Sequence, residues 1–220
     1  DGTADPSAST AFYETAPVNG VWTAVWTGVP TELPGIASDA LRYRIVETMP
    51  SGYQTVSGFS TAQEVSAADP EAEFANVKTT SLRVTKHWAA AAGTTPVGTL
   101  TVQLCRTTDP ARVDSRDLSL AVTGQTAVLR ASNGWQHTFS GLPFCDESGN
   151  RYYYYAIETA AEAGTAAETA ITSDSFAVHG VDYTGYGETT YASEARAETT
   201  LVNVAHHDLT GTKTWKDNSD

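Results

Sequence analysis

A repeat restricts this chain more than any other feature. Phe74-Ala75-Asn76-Val77 returns as Leu201-Val202-Asn203-Val204, and a lysine and then a tryptophan follow each asparagine: Lys86 and Trp88, then Lys213 and Trp215. Upstream of each asparagine the agreement continues in the same order. Asn19-Gly20-Val21-Trp22 and Gly28-Val29-Pro30 answer to Asn133-Gly134-Trp135 and Gly141-Leu142-Pro143. Leu41-Arg42-Tyr43-Arg44-Ile45-Val46-Glu47-Thr48 answers to Tyr152-Tyr153-Tyr154-Tyr155-Ala156-Ile157-Glu158-Thr159. Self-similarity of this kind means repeated structural units. The unit reads lysine strand, Asn-Gly-Trp turn, Gly-x-Pro turn, glutamate strand, asparagine strand. Only the copy holding Lys86, Trp135, Pro143, Glu158 and Asn203 is complete. The earlier copy has Trp22, Pro30, Glu47 and Asn76 but no lysine strand, and the last stops after Lys213 and Trp215. The chain reads as a window from a longer tandem array.

The residues filling these units favour strands. Thr, Ala, Val, Tyr and Gly are abundant, whereas the helix formers Leu, Lys, Met and Gln are sparse. With 26 acidic and 13 basic residues the formal charge is −13, which repels phosphate backbones and anionic lipid. Nucleic-acid binding is not expected, nor is membrane insertion, since no apolar run approaches the ~20 residues of a span. His87, His137, His179 and the pair His206-His207 lack ligand spacing with cysteine or carboxylate. Asp146–Asn150 reads as a turn rather than a calcium loop. No metal and no cofactor are expected.

Side chains alternate along a strand, so parity decides which of them face a core. Leu82, Val84, Lys86 and Trp88 share one face, opposite Arg83, Thr85 and His87. Leu41, Tyr43, Ile45 and Glu47 share another, and Tyr152, Tyr154, Ala156 and Glu158 follow by alignment. Asn203 is in phase with Leu201 and Ala205. Lys86, Glu158 and Asn203 are therefore aimed into one apolar interior, where an uncompensated charge is costly. They are either a buried ion pair with an amide hydrogen bond or a reactive set. Burial favours the neutral form of an amine and of a carboxyl group alike. A neutral Lys86 amine is a nucleophile, and Glu158 can polarise the Asn203 amide and carry a proton to the departing ammonia. Folding supplies the proximity. The product is a Lys86–Asn203 isopeptide bond, formed once per molecule, which is self-processing rather than enzymatic turnover. A turnover enzyme is not expected, because no nucleophile elbow or comparable motif appears.

Gly-Thr-Lys213-Thr-Trp215, Asn-Gly-Trp135 with Phe139-Ser-Gly-Leu-Pro143, Tyr154-x-x-x-Glu158-Thr159 and Val202-Asn203-Val204 together resemble the collagen-adhesin B-type (Cna B-type) domain. That family builds stalks of Gram-positive surface adhesins and pili. The resemblance implies an all-β fold of tandem immunoglobulin-like (prealbumin-like) β-sandwich modules. It divides the chain into a partial module at 1–79, a complete one at 80–207, and the first strand of a further module at 208–220. It implies an isopeptide bond between Lys86 and Asn203 with Glu158 catalytic. Glu47 is then the equivalent glutamate in the partial module, and Asn76 and Lys213 are unpaired halves. Neighbouring modules of the same protein are the implied partners. Lys213 of one molecule and Asn76 of another are candidates for head-to-tail linkage, with truncation of a strand as the alternative. The implied location is the cell wall of a Gram-positive bacterium, outside the cell.

His87 departs from the small polar residue in Lys213-Thr214-Trp215, and longer connections at Asp109–Asp117 and Gly164–Gly187 set the complete copy apart. Those connections, with Tyr183, Tyr186 and Tyr191, raise a second reading: an adhesin module that binds a host surface ligand. The family's strand order brings the strand end at Cys105 and the residue Cys145 to one pole. This implies a disulfide suited to a secreted protein, with two free thiols as the alternative.

Overall fold

The computed structural model describes residues 11–14, 23–31, 34–35, 41–66, 68–89, 97–162, 165–206 and 211–212. In chain order the strands are β1 (Ala11–Glu14), β2 (Ala24–Thr27), β3 (Tyr43–Val46), β4 (Tyr53–Thr55), β5 (Ala62–Val65), β6 (Asn76–Ala89) and β7 (Thr99–Thr107). They continue as β8 (Ala121–Arg130), β9 (Gln136–Pro143), β10 (Tyr153–Ala161), β11 (Thr169–Ala170), β12 (Ser175–Val178), β13 (Val181–Ser193) and β14 (Arg196–His206). Two compact units result: Asp1–Thr48 with Ser57–Ala75, and Met49–Val56 with Asn76–Asp220.

In the first unit β1 pairs antiparallel with β2, and β3 with β5. From Leu41 to Glu47 half-buried and exposed residues alternate in the expected phase, with Leu41, Tyr43, Ile45 and Glu47 on the more buried face. Tyr43 donates its hydroxyl to the Pro30 carbonyl, and the Glu47 amide donates to Thr61 at 2.8 Å. Among its described residues only Val65 is buried. A pair of two-stranded ladders has little apolar surface to enclose, and isolated ladders of this kind are marginal in water.

The second unit is a β-sandwich. One sheet runs β11-β10-β7-β8, and the other runs β12-β13-β14-β6-β4, with β9 also on β6. Its core comes from both inner faces: Leu82 and Val84 of β6 and Leu201 of β14 meet Leu100, Val102 and Leu104 of β7 and Tyr154 and Ala156 of β10. Alternation along β6 becomes strict from Leu82 onward, and this is the buried phase read from the sequence. The first and last long strands, β6 and β14, are parallel neighbours, with Leu201 opposite Lys86 and Asn203 opposite Trp88. Parallel neighbours need a long crossover; here most of the other sheet forms it.

The two turns of the repeat unit fare differently. Asn133-Gly134-Trp135 is a tight turn: Asn133 Oδ1 accepts from the Arg130 amide, and Gly134 and Trp135 both take left-handed backbone. Gly141-Leu142-Pro143, expected as a turn, is instead the bulged end of β9. Leu82 faces Phe139 and Thr80 faces Leu142, so two residues of β9 oppose one of β6. Gly141, with φ of 66°, supplies the left-handed conformation that such a bulge requires. Asp146–Asn150 is the turn expected, its Asp146 carboxylate accepting from the Ser148 and Asn150 amides.

Candidate functional site

Lys86, Glu158 and Asn203 meet in the core between the two sheets. All three are buried, with Asn203 fully so. Lys86 arrives on β6 in phase with Leu82 and Val84, Glu158 on β10 in phase with Tyr154 and Ala156, and Asn203 on β14 in phase with Leu201. Lys86 Nζ lies 3.1 Å from Glu158 Oε1. It also donates to the His87 carbonyl at 2.9 Å and sits 4.4 Å from the centre of the Trp88 ring. Burial pushes the Lys86 ammonium down to about 8, against the upward pull of the Glu158 carboxylate. Lys86 and Asn203 lie on adjacent parallel strands, two residues apart in register and so on the same face. Such diagonal neighbours are ~7–8 Å apart at the backbone, within reach of a lysine.

Among the described residues neither Asn203 Oδ1 nor Asn203 Nδ2 has a hydrogen-bond partner, although both atoms are buried. An amide left in this state costs about 1–3 kcal/mol per unpaired group. The amide is therefore held beside a lysine and a carboxyl group without being consumed by a resting hydrogen bond.

Aromatic rings close the site. Trp88 packs edge-on against Trp135 and against Tyr183, and Tyr183 stacks on Phe176. The Lys86 amide donates to the Trp135 carbonyl at 2.9 Å, so the Asn-Gly-Trp turn fixes both the lysine backbone and one ring of its enclosure. Gly185 of β13 stands opposite Asn203 in the ladder. A Cβ at this position would lie 2.6 Å from Asn203 Oδ1 and 3.4 Å from Glu158 Oε2. Only glycine leaves room for the asparagine side chain. Sequence reading missed Gly185; the Gly185-Tyr186-Gly187 spacing was its one visible signal.

The other site residues are scattered. Glu47 is half-buried in the first unit. Asn76, the asparagine of the partial copy, is exposed at the start of β6 beside Thr55, because β6 enters the sandwich core only from Leu82. Lys213 lies outside the described residues, as do Trp22, Leu209 and Trp215.

The expected Cys105–Cys145 disulfide is absent: both are free thiols. Cys105 follows Leu104 on β7 and so turns to the outer face, where it is buried with Tyr155 and Ile157 under Val113, Leu120 and Ala121. Burial pushes its thiol up to about 11. Cys145, paired in an isolated bridge with Arg151, interacts instead with the Tyr154 phenol of the inner face.

The tyrosines named as a binding surface are mostly interior. Tyr183 is buried and Tyr191 half-buried, with its hydroxyl donating to the Tyr154 carbonyl; only Tyr186 is open, at 58% exposure. Among the described residues no group of three His, Cys, Asp or Glu is placed to hold a metal ion. No helix among them is long and apolar enough to cross a membrane.

Residues 82–181 match the family model of the Cna protein B-type domain. The match contains Lys86, Trp135 and Glu158 and ends before Asn203. Solved structures similar to the chain include a single B repeat unit (B1) of the collagen-binding surface protein Cna of Staphylococcus aureus, at 22% identity and a TM-score of 0.34. That alignment covers 69% of this chain and 60% of that one. A structure of two B repeat units of the same protein aligns at 14% identity and a TM-score of 0.33, covering 90% and 56%. The pilus adhesin SpaC from Lactobacillus rhamnosus GG aligns at 16% identity and a TM-score of 0.37, covering 72% and 16%. No curated protein sequence matches the chain.

Proposed function

We propose that this chain is a structural segment of a bacterial surface adhesin or pilus, whose second unit locks itself with an autocatalytic isopeptide bond between Lys86 and Asn203. On this reading the chain is made of tandem modules bounded at 79/80 and 207/208, and its neighbours along the array are further copies. Its place is the cell wall of a Gram-positive bacterium. The match of residues 82–181 to the Cna protein B-type domain supports the adhesin assignment.

One observation carries the crosslink: Lys86 and Glu158 are in contact in the core beside an asparagine amide with no resting hydrogen bond. Transfer of the shared proton from Lys86 to Glu158 gives a neutral amine and a neutral acid. The Lys86 nitrogen attacks Asn203 Cγ while the Glu158 proton polarises Oδ1. The nitrogen then gives up one hydrogen, relayed through Glu158 to Nδ2. The Cγ–Nδ2 bond breaks, ammonia leaves, and Glu158 is regenerated. The apolar walls and the rings of Trp88 and Tyr183 limit the water that reaches the carbonyl, which slows its hydrolysis.

Intact-mass spectrometry tests this. The folded chain is expected to be lighter than its sequence by one ammonia, with Lys86 and Asn203 in one branched, trypsin-resistant peptide. Glu158→Ala is expected to fold and retain the full sequence mass. A full-mass wild-type protein with an unmodified Lys86 peptide overturns the reading.

A further inference from the structure

The Asp109–Asp117 connection is fastened to the site from outside. Its two ends are short turns, one capped by Asp109 and the next begun by Asp117, which also pairs with Arg112. Between them Asp114 takes left-handed backbone (φ 62°), and its carboxylate accepts from the Thr189 amide at 2.9 Å and the Thr189 hydroxyl at 2.5 Å. Thr189 continues the chain of bonds to the Thr199 hydroxyl at 2.7 Å, which accepts from the Ala156 amide. Two residues further along, Arg116 Nη2 donates to the Glu158 carbonyl at 2.7 Å and to the Ile171 carbonyl at 3.0 Å. Its other terminal nitrogen faces the Asp174 carboxylate at 3.5 Å.

These contacts fall where the sheet is irregular. The β10–β7 register shifts between Glu158 and Ala160. A bulge re-aims the side chains beside it and leaves backbone groups for other partners. At this bulge the Glu158 carbonyl receives its bond from Arg116. The same guanidinium reaches the opposite wall, because the Asp174 carbonyl accepts the amide of Gly185, the residue facing Asn203. Arg116 thus ties together the backbone that presents the glutamate and the wall that confines the asparagine. A cavity of about 30 Å³, lined by Asp114, Arg116, Glu158 and Gly185 among others, lies where the connection meets the site. It has room for about one water-sized molecule, the size of ammonia.

We propose that Arg116 is a positioning residue for the Lys86–Asn203 condensation, and that the Asp109–Asp117 connection is a strap whose docking completes the reaction site. This rests on the proposed crosslink and adds that the rate of bond formation is set from outside the sandwich. Arg116 touches no reacting atom. It acts through the Glu158 backbone, and small misplacements of a reacting group cost on the order of 100-fold in rate.

The test follows loss of ammonia by intact mass during cell-free synthesis of the full chain, in wild type, Arg116→Ala, Arg116→Lys and Arg112→Ala, with urea unfolding of each. Arg116→Ala is expected to crosslink at least about tenfold more slowly. Arg116→Lys, whose ammonium still reaches the Glu158 carbonyl, is expected to recover most of the rate. Arg112→Ala, which removes only the exposed Arg112–Asp117 pair and leaves the docking contacts of Asp114 and Arg116 in place, is expected to match wild type. Wild-type kinetics in Arg116→Ala overturns the proposal alone, as does equal slowing in Arg112→Ala. Failure of the wild type itself to lose ammonia overturns both this proposal and the crosslink. If Arg116→Ala does not fold, Arg116→Gln takes its place, and a wild-type rate there is equally fatal.

Discussion

At the scale of single residues, Lys86 and Glu158 stand 3.1 Å apart in a buried place, and the proposed crosslink needs one proton to pass between them. Lys86 titrates near 8 rather than 10.5 because burial opposes its charged form more strongly than Glu158 supports it. The proposed mechanism needs one proton on the pair, carried by the lysine before attack and passed to Glu158 during it. As pH rises through about 8 the pair loses that proton to solvent, and Glu158 can no longer polarise the amide. Crosslinking is therefore expected to be fast near neutrality and to slow above about pH 8, measured by intact mass after transfer of freshly synthesised chain into buffers of graded pH. A lysine acting without the glutamate predicts the reverse sign, since its neutral fraction grows through the same range. A rate that rises with pH there rules out the acid role of Glu158.

At the scale of elements, the site depends on how closely strands can approach. The side chain of Asn203 occupies the space that a Cβ on Gly185 would take, and the β13–β14 ladder fixes these two residues opposite each other. Backbone cannot retreat cheaply from the middle of a ladder, so the asparagine must move. Gly185→Ala is expected to cost about 1–3 kcal/mol of stability, as overpacking does. It is also expected to leave a large fraction of molecules uncrosslinked, read by urea unfolding and by mass. Gly187→Ala serves as the comparison, since its Cβ would meet only the Leu201 side chain, at 3.1 Å. Equal, complete crosslinking in both variants would show that Gly185 has no special place in the site. Parity places Cys105 at the same scale. Adjacent residues of one strand face opposite ways, and Leu104 takes the core, so Cys105 turns outward.

At the scale of the whole molecule, the proposed bond joins two parallel neighbours, β6 and β14, the first and last long strands of the second unit. A pull applied at Asn76 and His206 enters along β6, crosses at Lys86–Asn203, and leaves along β14. The intervening chain, roughly 115 residues, lies outside this path. Unfolded, it would add about 400 Å at ~3.4 Å per residue. Single-molecule stretching of the wild type is expected to lack that release, and Glu158→Ala is expected to show it; a release of full length in the crosslinked wild type contradicts the force path. What the sequence determined by itself was the local order: strand faces follow from a period of two, so Lys86, Glu158 and Asn203 were legible as inward-facing groups, and the Asn133-Gly134-Trp135 turn was legible from its glycine. The repeat made them one set. Contacts between elements distant in the chain were not legible, because they follow from the way sheets pair and stack. Gly141-Leu142-Pro143 became a bulge because β6 lay alongside it. Within the Gly164–Gly187 stretch, residues 165–187 hold β11, β12 and the start of β13, with β11 and β12 at the edges of the two sheets. Arg116 came to rest on the Glu158 carbonyl because a register shift in β10 left that oxygen for a donor no local rule could have named.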